Sequence, residues 1–242
     1  MIKRSSLTDQ AKALIKQRIL NAEFEEGRIP SETDLAIELG VSRTTIRDAL
    51  SRLELEGAII RKQGAGTFVN EASLQVRIRL EEIWSYEGML EAHGYTPTNR
   101  IVEVSTQPAP PALAAELDIA PADEVLQIKK LFLADGEPVI FAVNHIPTAL
   151  ITAPYTAADF HPPISKFLST HCQQELTYCL SEIVPLVTPN WLAEMLHLAP
   201  AKSALLAFDE VGYNQDNAPI LKARSYFRDD LLRLRLIRRE MQ

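Results

Sequence analysis

Ser42-Arg43-Thr44-Thr45-Ile46-Arg47 gathers two guanidiniums and three hydroxyls on consecutive positions. A guanidinium presents a planar fork of N–H donors that matches a guanine edge or a phosphate through two parallel bonds. Short hydroxyls donate to phosphate oxygens, and a threonine methyl also packs on the methyl of thymine. Further along, Gln63-Gly64-Ala65-Gly66 adds an amide and two glycines, and glycine lets a backbone approach another polymer closely. This chemistry is recognition of a phosphate-bearing double helix, not bond making. The acidic pairs elsewhere are poor general acid–base dyads. Asp209-Glu210 and Asp229-Asp230 are adjacent, and neighbours on a strand point to opposite faces. His171 beside Cys172 lacks the further clustered ligands that a metal site needs.

The elements that must position these residues are legible from spacing. Ser31 is a helix N-cap, with Asp34 completing a box-like pair. Leu35, Ala36 and Leu39 give an apolar stripe, and Gly40 suits the left-handed residue that closes a helix. Ser42 caps a second helix whose apolar positions are Ile46, Ala49, Leu50 and Leu53, with Gly57 ending it. Arg43, Thr44 and Arg47 fall on the opposite face of its first turns. Ala58 to Arg61 and Thr67 to Val69 read as two short strands joined by the glycine turn. The sum is a winged helix-turn-helix, whose recognition helix points its N-terminal residues at the bases of the major groove. Its free N–H groups favour a nearby phosphate. A small helical domain with a solvated Arg/Thr face explains the arginines alone, but not their conjunction with caps, turn and wing.

The segment resembles the N-terminal domain of GntR-type bacterial transcription regulators. The resemblance rests on G-R-I-P-S-E, L-A-x-E-L-G-V-S-R-T-T-I-R-D-A-L, L-x-x-E-G and G-x-G-T-F-V, over about residues 7 to 70. It implies DNA contacts at Arg28, Thr33, Ser42, Arg43, Thr44, Thr45, Arg47, Gln63 and Gly64. Some relatives carry arginine where this chain has Thr33.

Composition fits a globular chain of one or two domains: 242 residues, 46% hydrophobic. No apolar run approaches the roughly 18 residues needed to span a membrane. Met1-Ile2-Lys3-Arg4 leads directly into polar residues, so no secretory signal is expected. Cys172 and Cys179 make no disulfide framework, which points to a reduced, cytoplasmic home. No cofactor is implied. The net charge of −7 is unevenly spread. Residues 1–70 hold 11 Lys+Arg against 10 Asp+Glu, and residues 71–242 hold 14 against 22. DNA affinity must therefore come from local placement of charge, doubled if two copies bind.

The expected organisation is a winged domain over 1–70, a linker over 71–79 and a second domain over 80–242. In the latter, residues 80–93 read as a helix stopped by Gly94. Arg100 to Ser105, Val125 to Ala134, Pro138 to Ile146, Glu175 to Val187, Ser203 to Tyr213 and Pro219 to Arg228 read as strands. Asp135-Gly136 marks a hairpin, and short helices fit 111–118, 163–171 and 189–197. Arg233 and Arg235, alternating with leucines, read as the wet face of an edge strand, and Arg238-Arg239 as a solvated end. The fold class is α+β, with a mainly antiparallel sheet.

This order resembles the UTRA effector domain of the HutC branch of the GntR family. The carrying motifs are G-Y-T-P-T, L-F-L-A-D-G-E-P-V-I, N-H-I-P and A-P-I-L-K-A-R-S-Y-F-R-D-D, over about 90–238. The resemblance implies a small-molecule effector and a homodimer, joined through these domains, on a two-fold symmetric operator with half-sites of GT and AC type. Phosphosugar-binding members carry two basic residues on the first strand of the A-D-G hairpin and an acid on the second. A further acid and a tyrosine lie on their late strand. The corresponding positions here are Lys130, Phe132, Ala142, Leu221 and Phe227, so only Lys130 keeps its charge. A site built to hydrogen-bond sugar hydroxyls does not accept apolar replacements cheaply. The expected effector is therefore anionic at one end, near Lys130, with an apolar body, and Asn144 and Ser165 are candidate polar contacts. In the plainer alternative Phe132, Ala142 and Leu221 are sheet core and Lys130 is a solvated edge charge. UTRA also resembles chorismate lyase in fold, so a lyase is the rival from another class, without a catalytic set to support it. An effector-independent DNA binder is the third reading, and the size of the second domain argues against it. No enzyme activity is expected.

Overall fold

Three serine caps organise the first unit of the computed structural model, which describes residues 6–71, 83, 85–199 and 204–234. Ser6, Ser31 and Ser42 each accept a hydrogen bond from the backbone N–H three residues on. They open α1 (Leu7–Leu20), α2 (Glu32–Leu39) and α3 (Arg43–Leu55). Gly40 ends α2 in the left-handed conformation, at φ 65°. Ile15, Leu35, Ile46, Leu50 and Leu53 are sealed in one core with Ile59. The wing has three antiparallel strands, β1 (Arg28–Ile29), β2 (Ile59–Lys62) and β3 (Gly66–Val69), in the order β1-β3-β2. Spacing in the sequence shows β2 and β3 but not β1, because two residues are too few to alternate. It also misses α1, whose buried line of Ala11, Ile15 and Ile19 is blurred by the exposed Leu7, Leu14 and Leu20.

The second unit is a six-stranded, wholly antiparallel sheet. Its strands are β4 (Pro97–Pro108), β5 (Glu124–Ala134), β6 (Glu137–Pro147), β7 (Tyr178–Val187), β8 (Ala204–Tyr213) and β9 (Pro219–Phe227). Their spatial order is β4-β5-β6-β9-β8-β7. Asp135 and Gly136 turn β5 into β6 with φ of 49° and 89°, the doubly left-handed turn whose twist matches the strands it joins. Among the described residues four α-helices accompany the sheet: α4 (Tyr86–Ala92), α5 (Pro111–Glu116), α6 (Ile164–His171) and α7 (Asn190–Met195). Each falls within a helix expected from the sequence. Residues 80–82 and 84 of the expected helix 80–93, and 72–79 of the expected linker, lie outside the described residues.

Strand alternation gives the sheet two different faces. One packs Leu126, Ile128, Ile146, Leu221 and Ala223 against Phe167 and Leu168 of α6. The other packs Leu131, Phe141, Ala207 and Tyr226 against Leu192 of α7. At the end of β9, the buried guanidinium of Arg228 donates to the carbonyls of Pro138 and Leu196, each at 2.9 Å, and pairs with Asp230 at 2.8 Å. The edge strand expected around Arg233 is corrected: Arg233 is exposed and in no strand, while Arg235, Arg238 and Arg239 lie outside the described residues. From Arg228 to Leu234 the chain is in no strand.

Candidate nucleic-acid interface and effector-binding face

Capping fixes the start of α3. Ser42 Oγ accepts from the Thr45 backbone N–H at 3.1 Å and shares a 2.8 Å bond with Thr45 Oγ1. Ile46, Ala49, Leu50 and Leu53 pull one side of the helix into the core, which turns Arg43, Thr44 and Arg47 outward. Ser42, Arg43, Thr44 and Arg47 are exposed, and Thr45 is half-buried. Thr33 is exposed in the first turn of α2. At the wing tip Gln63 and Gly64 are exposed, and Gly64 takes φ 76°, where a side chain would be strained. Arg28 reaches the wing from β1: Nη2 donates to the Ala65 carbonyl at 3.4 Å. The structure thus places one group at the N-terminus of α3 and another, Arg28 with Gln63 and Gly64, on the wing.

Glu32 was not anticipated. Its carboxylate accepts from Arg47 Nε at 3.2 Å and lies 3.9 Å from Arg61 Nη1. Arg61 also pairs with Glu54 at 3.1 Å and donates to Ser51. Glu32 therefore ties the first residue of α2 to the recognition helix and to the wing. No sequence signal separates it from an ordinary acidic first-turn residue.

In the second unit, Lys130, Phe132, Ala142, Asn144, Leu221 and Phe227 are all buried, and the register puts them on one sheet face. Ser165 does not join them: it is exposed on α6 and makes no hydrogen bond to them among the described residues. Lys130 is no edge charge. It is 4% exposed on an inner strand. Its ammonium donates to the His161 and Pro162 carbonyls at 2.5 and 2.9 Å and pairs with Glu87 of α4 at 3.3 Å. Burial holds its pKa below the usual lysine range, against the opposing pull of Glu87. Its charge is thus already balanced by a carboxylate. Phe132 and Phe227 pack edge-on against Tyr86, with ring centroids 5.0 and 5.6 Å away. The Tyr86 hydroxyl shares a 2.5 Å bond with the buried Ser225, and burial raises its pKa.

The same face holds an acid that alignment to a motif passes over. Glu210 on β8 accepts from Ser181 on β7, and burial raises its pKa above the usual carboxylate range. Beside it, burial pushes the Cys179 thiol up to about 12. Asp209 points the other way, onto Lys222 at 2.5 Å. The period of two over Ser203 to Tyr213 was the available signal. His171 stands near Asp159 at 3.4 Å, and burial pushes Cys172 up to about 11, the state of an unreactive thiol. No helix among the described residues is long and apolar enough to cross a membrane.

Comparison with known proteins separates the two units in the same way. Residues 7–69 match the bacterial regulatory proteins of the gntR family, and residues 92–233 match the UTRA domain. The HTH-type transcriptional regulator Rv0792c of Mycobacterium tuberculosis is 30% identical over 88% of this chain and 78% of its own. The histidine utilization repressor of Pseudomonas putida is 28% identical over 83% of this chain and 75% of its own. The crystal structure of YydK from Bacillus subtilis has the same fold, with a TM-score of 0.76 at 16% identity over 98% of this chain and 100% of that one.

Proposed function

The chain belongs to the gntR family of bacterial regulatory proteins, in the UTRA-bearing HutC branch, and we propose that it represses transcription as a homodimer on a two-fold symmetric operator. Its relatives are transcription regulators and not enzymes, and regulation through DNA is its function. In the proposed mechanism each copy enters one half-site in the cytoplasm, with α3 in the major groove and the wing alongside. Arg43 and Arg47 read or brace bases. Arg28, Thr33, Ser42, Thr44, Thr45, Gln63 and Gly64 hold the backbone and the adjacent groove. A winged domain over 1–70 joined through 71–79 to an effector domain over 80–242 completes the scheme. A small effector with an apolar body binds the sheet face around Phe132, Ala142, Asn144 and Phe227. It shifts operator affinity only as far as it prefers one arrangement of the dimer. An anionic group at Lys130 would have to compete with Glu87.

The single observation that carries the reading is the outward row of Ser42, Arg43, Thr44 and Arg47 at the capped N-terminus of α3. Its test is binding of the full chain, and of Arg43→Ala, to a duplex selected by the full chain from a random library. Arg43→Ala should cost about 1–3 kcal/mol on the selected duplex and flatten discrimination at one base step. Weakening that is uniform over all duplexes would make Arg43 a phosphate contact, and no change at all would remove α3 from the interface.

A further inference from the structure

Lys130 is completed by a residue that does not belong to the sheet. Two of its three N–H groups go to the His161 and Pro162 carbonyls, which are neutral and cannot balance its charge. The balance comes from Glu87 of α4. Its Oε1 lies 3.3 Å from the ammonium and also accepts from the Asn99 amide of β4 at 3.1 Å. Asn99 is itself held: the same amide nitrogen donates to the His161 carbonyl at 2.9 Å, and its oxygen shares a 2.9 Å bond with the His161 ring. Strands β4 and β5 and the loop before α6 thus build a seat for one carboxylate, and α4 supplies the carboxylate that sits in it.

Seat and occupant differ in exposure. The Lys130 side chain is 5% exposed and the Glu87 side chain 20%, so Glu87 is the member of the pair that solvent reaches. A buried ammonium stripped of its carboxylate is left uncompensated at high cost, so Lys130 demands an anion whichever molecule supplies it. The other polar anchor of α4 offers an anion nothing to exchange with. It is the uncharged Tyr86 hydroxyl on Ser225, with the Tyr86 ring packed against Phe132 and Phe227.

We propose that Glu87 is a built-in ligand and α4 a latch. A small molecule bearing a carboxylate takes the place of Glu87 on Lys130 and Asn99, and α4 loses its charged tie to the sheet. Among the described residues α4 is the first helix of the second unit, so its release alters the end of that unit from which the chain runs back to the winged unit. The ligand moves operator affinity by as much as it prefers the released arrangement. The inference rests on the effector reading of this face and names the contact that an effector breaks.

The test uses the full chain with Glu87→Ala, which removes the group that acetate can replace. Acetate is the probe and acetamide its uncharged match, at constant ionic strength. Glu87→Ala should melt below the parent, and acetate, not acetamide, should restore the melting temperature saturably. Glu87→Ala combined with Lys130→Met, an apolar replacement of the pair, should not respond. Operator affinity, on a duplex selected by the full chain from a random library, should differ between parent and Glu87→Ala by about fivefold or more. Glu87→Gln, which keeps the shape and loses the charge, should move it the same way, and carries the comparison where the alanine variant melts too low. Acetate refills the seat but does not retie α4. Stability should therefore return while operator affinity stays at the variant's value, whereas a carboxylate that only braces the fold would give both back and overturn the latch. No rescue by acetate, or equal rescue by acetamide, would overturn the exchangeable seat. Operator affinity equal in the parent and both variants would overturn the latch and leave Lys130 as an anion site. A full chain that selects no duplex would overturn the regulator reading and the latch with it.

Discussion

Glu32 holds Arg47, a proposed DNA contact, by one hydrogen bond. The pair is exposed enough to add little to folding. Glu32→Gln should change stability by less than about 1 kcal/mol, because exposed ion pairs contribute little. It should nevertheless change which duplexes bind, since a freed Arg47 can choose other partners. Urea melts together with binding across a panel of duplex variants would check this, and an unchanged preference would mean that Arg47 is oriented by DNA alone. Glu210 makes the matching case in the second unit. Burial raises its folded pKa above the unfolded value, so the folded chain holds that proton more tightly. The stabilisation is fully present below the unfolded pKa and is lost as pH rises through the folded one. Asp209 adds to the burden on the carboxylate, and Ser181 and Lys222 relieve it. Glu210→Gln should therefore melt higher than the parent at neutral pH, with the gap closing as pH falls through the acid range. A constant gap would show that the carboxyl is not shifted. Of these residues, the exposed Arg43 and Arg47 were legible because the apolar stripe of α3 dictates the opposite face. Glu32, Glu87 and Glu210 were not, because a carboxylate's role depends on which element folds against it.

At the scale of elements, caps and close approaches carry the local folding. Ser42 both caps α3 and is a proposed phosphate contact, so Ser42→Ala should cost about 1 kcal/mol of stability through the lost cap. Ser42→Asp would restore the cap, and in DNA binding it should be worse than alanine because a carboxylate repels phosphate. Operator binding that follows stability alone would remove the contact. On β8, Gly212 is pressed against its neighbours: an added Cβ would meet Leu176 Cδ1 at 2.7 Å and Leu221 Cβ at 3.3 Å. Gly212→Ala should destabilise by about 1–3 kcal/mol through overpacking, measured as a shift of the urea midpoint. A neutral result would mean that Leu176 swings away. The hairpin at Asp135-Gly136 was readable in advance because only residues tolerant of positive φ fit such a turn. The β1 strand was not, since two residues are too few to alternate and its pairing partner is distant in sequence.

At the scale of the molecule, charge and symmetry meet. The winged unit carries almost no net charge and the second part is acidic, so specific placement of a few cations must hold the DNA. A homodimer doubles those contacts. Light scattering of the free chain should give about twice its 27.0 kDa, at concentrations where operator binding is measured. A monomer at every concentration would sink the symmetric-operator proposal. The logarithm of affinity should fall linearly with the logarithm of salt, and a duplex with one half-site destroyed should show roughly half the slope. Equal slopes would mean that one winged unit makes all the phosphate contacts.

The sequence by itself determined the winged helix-turn-helix, the antiparallel α+β effector unit and the family to which both belong. Caps, turns and apolar periods act within a few residues, so they can be read along the chain without knowing where it goes. Only the tertiary structure decided what the polar residues of the second unit do. It placed Lys130 inside rather than at an edge, gave it Glu87 as a partner, and put Glu210 on the same sheet face as Lys130. These outcomes depend on strand order: β9 lies between β6 and β8 in the sheet, a neighbourhood that no local pattern encodes. Whether a buried charge is balanced is set by that neighbourhood, because in a partly dry interior the nearest opposite charge dominates.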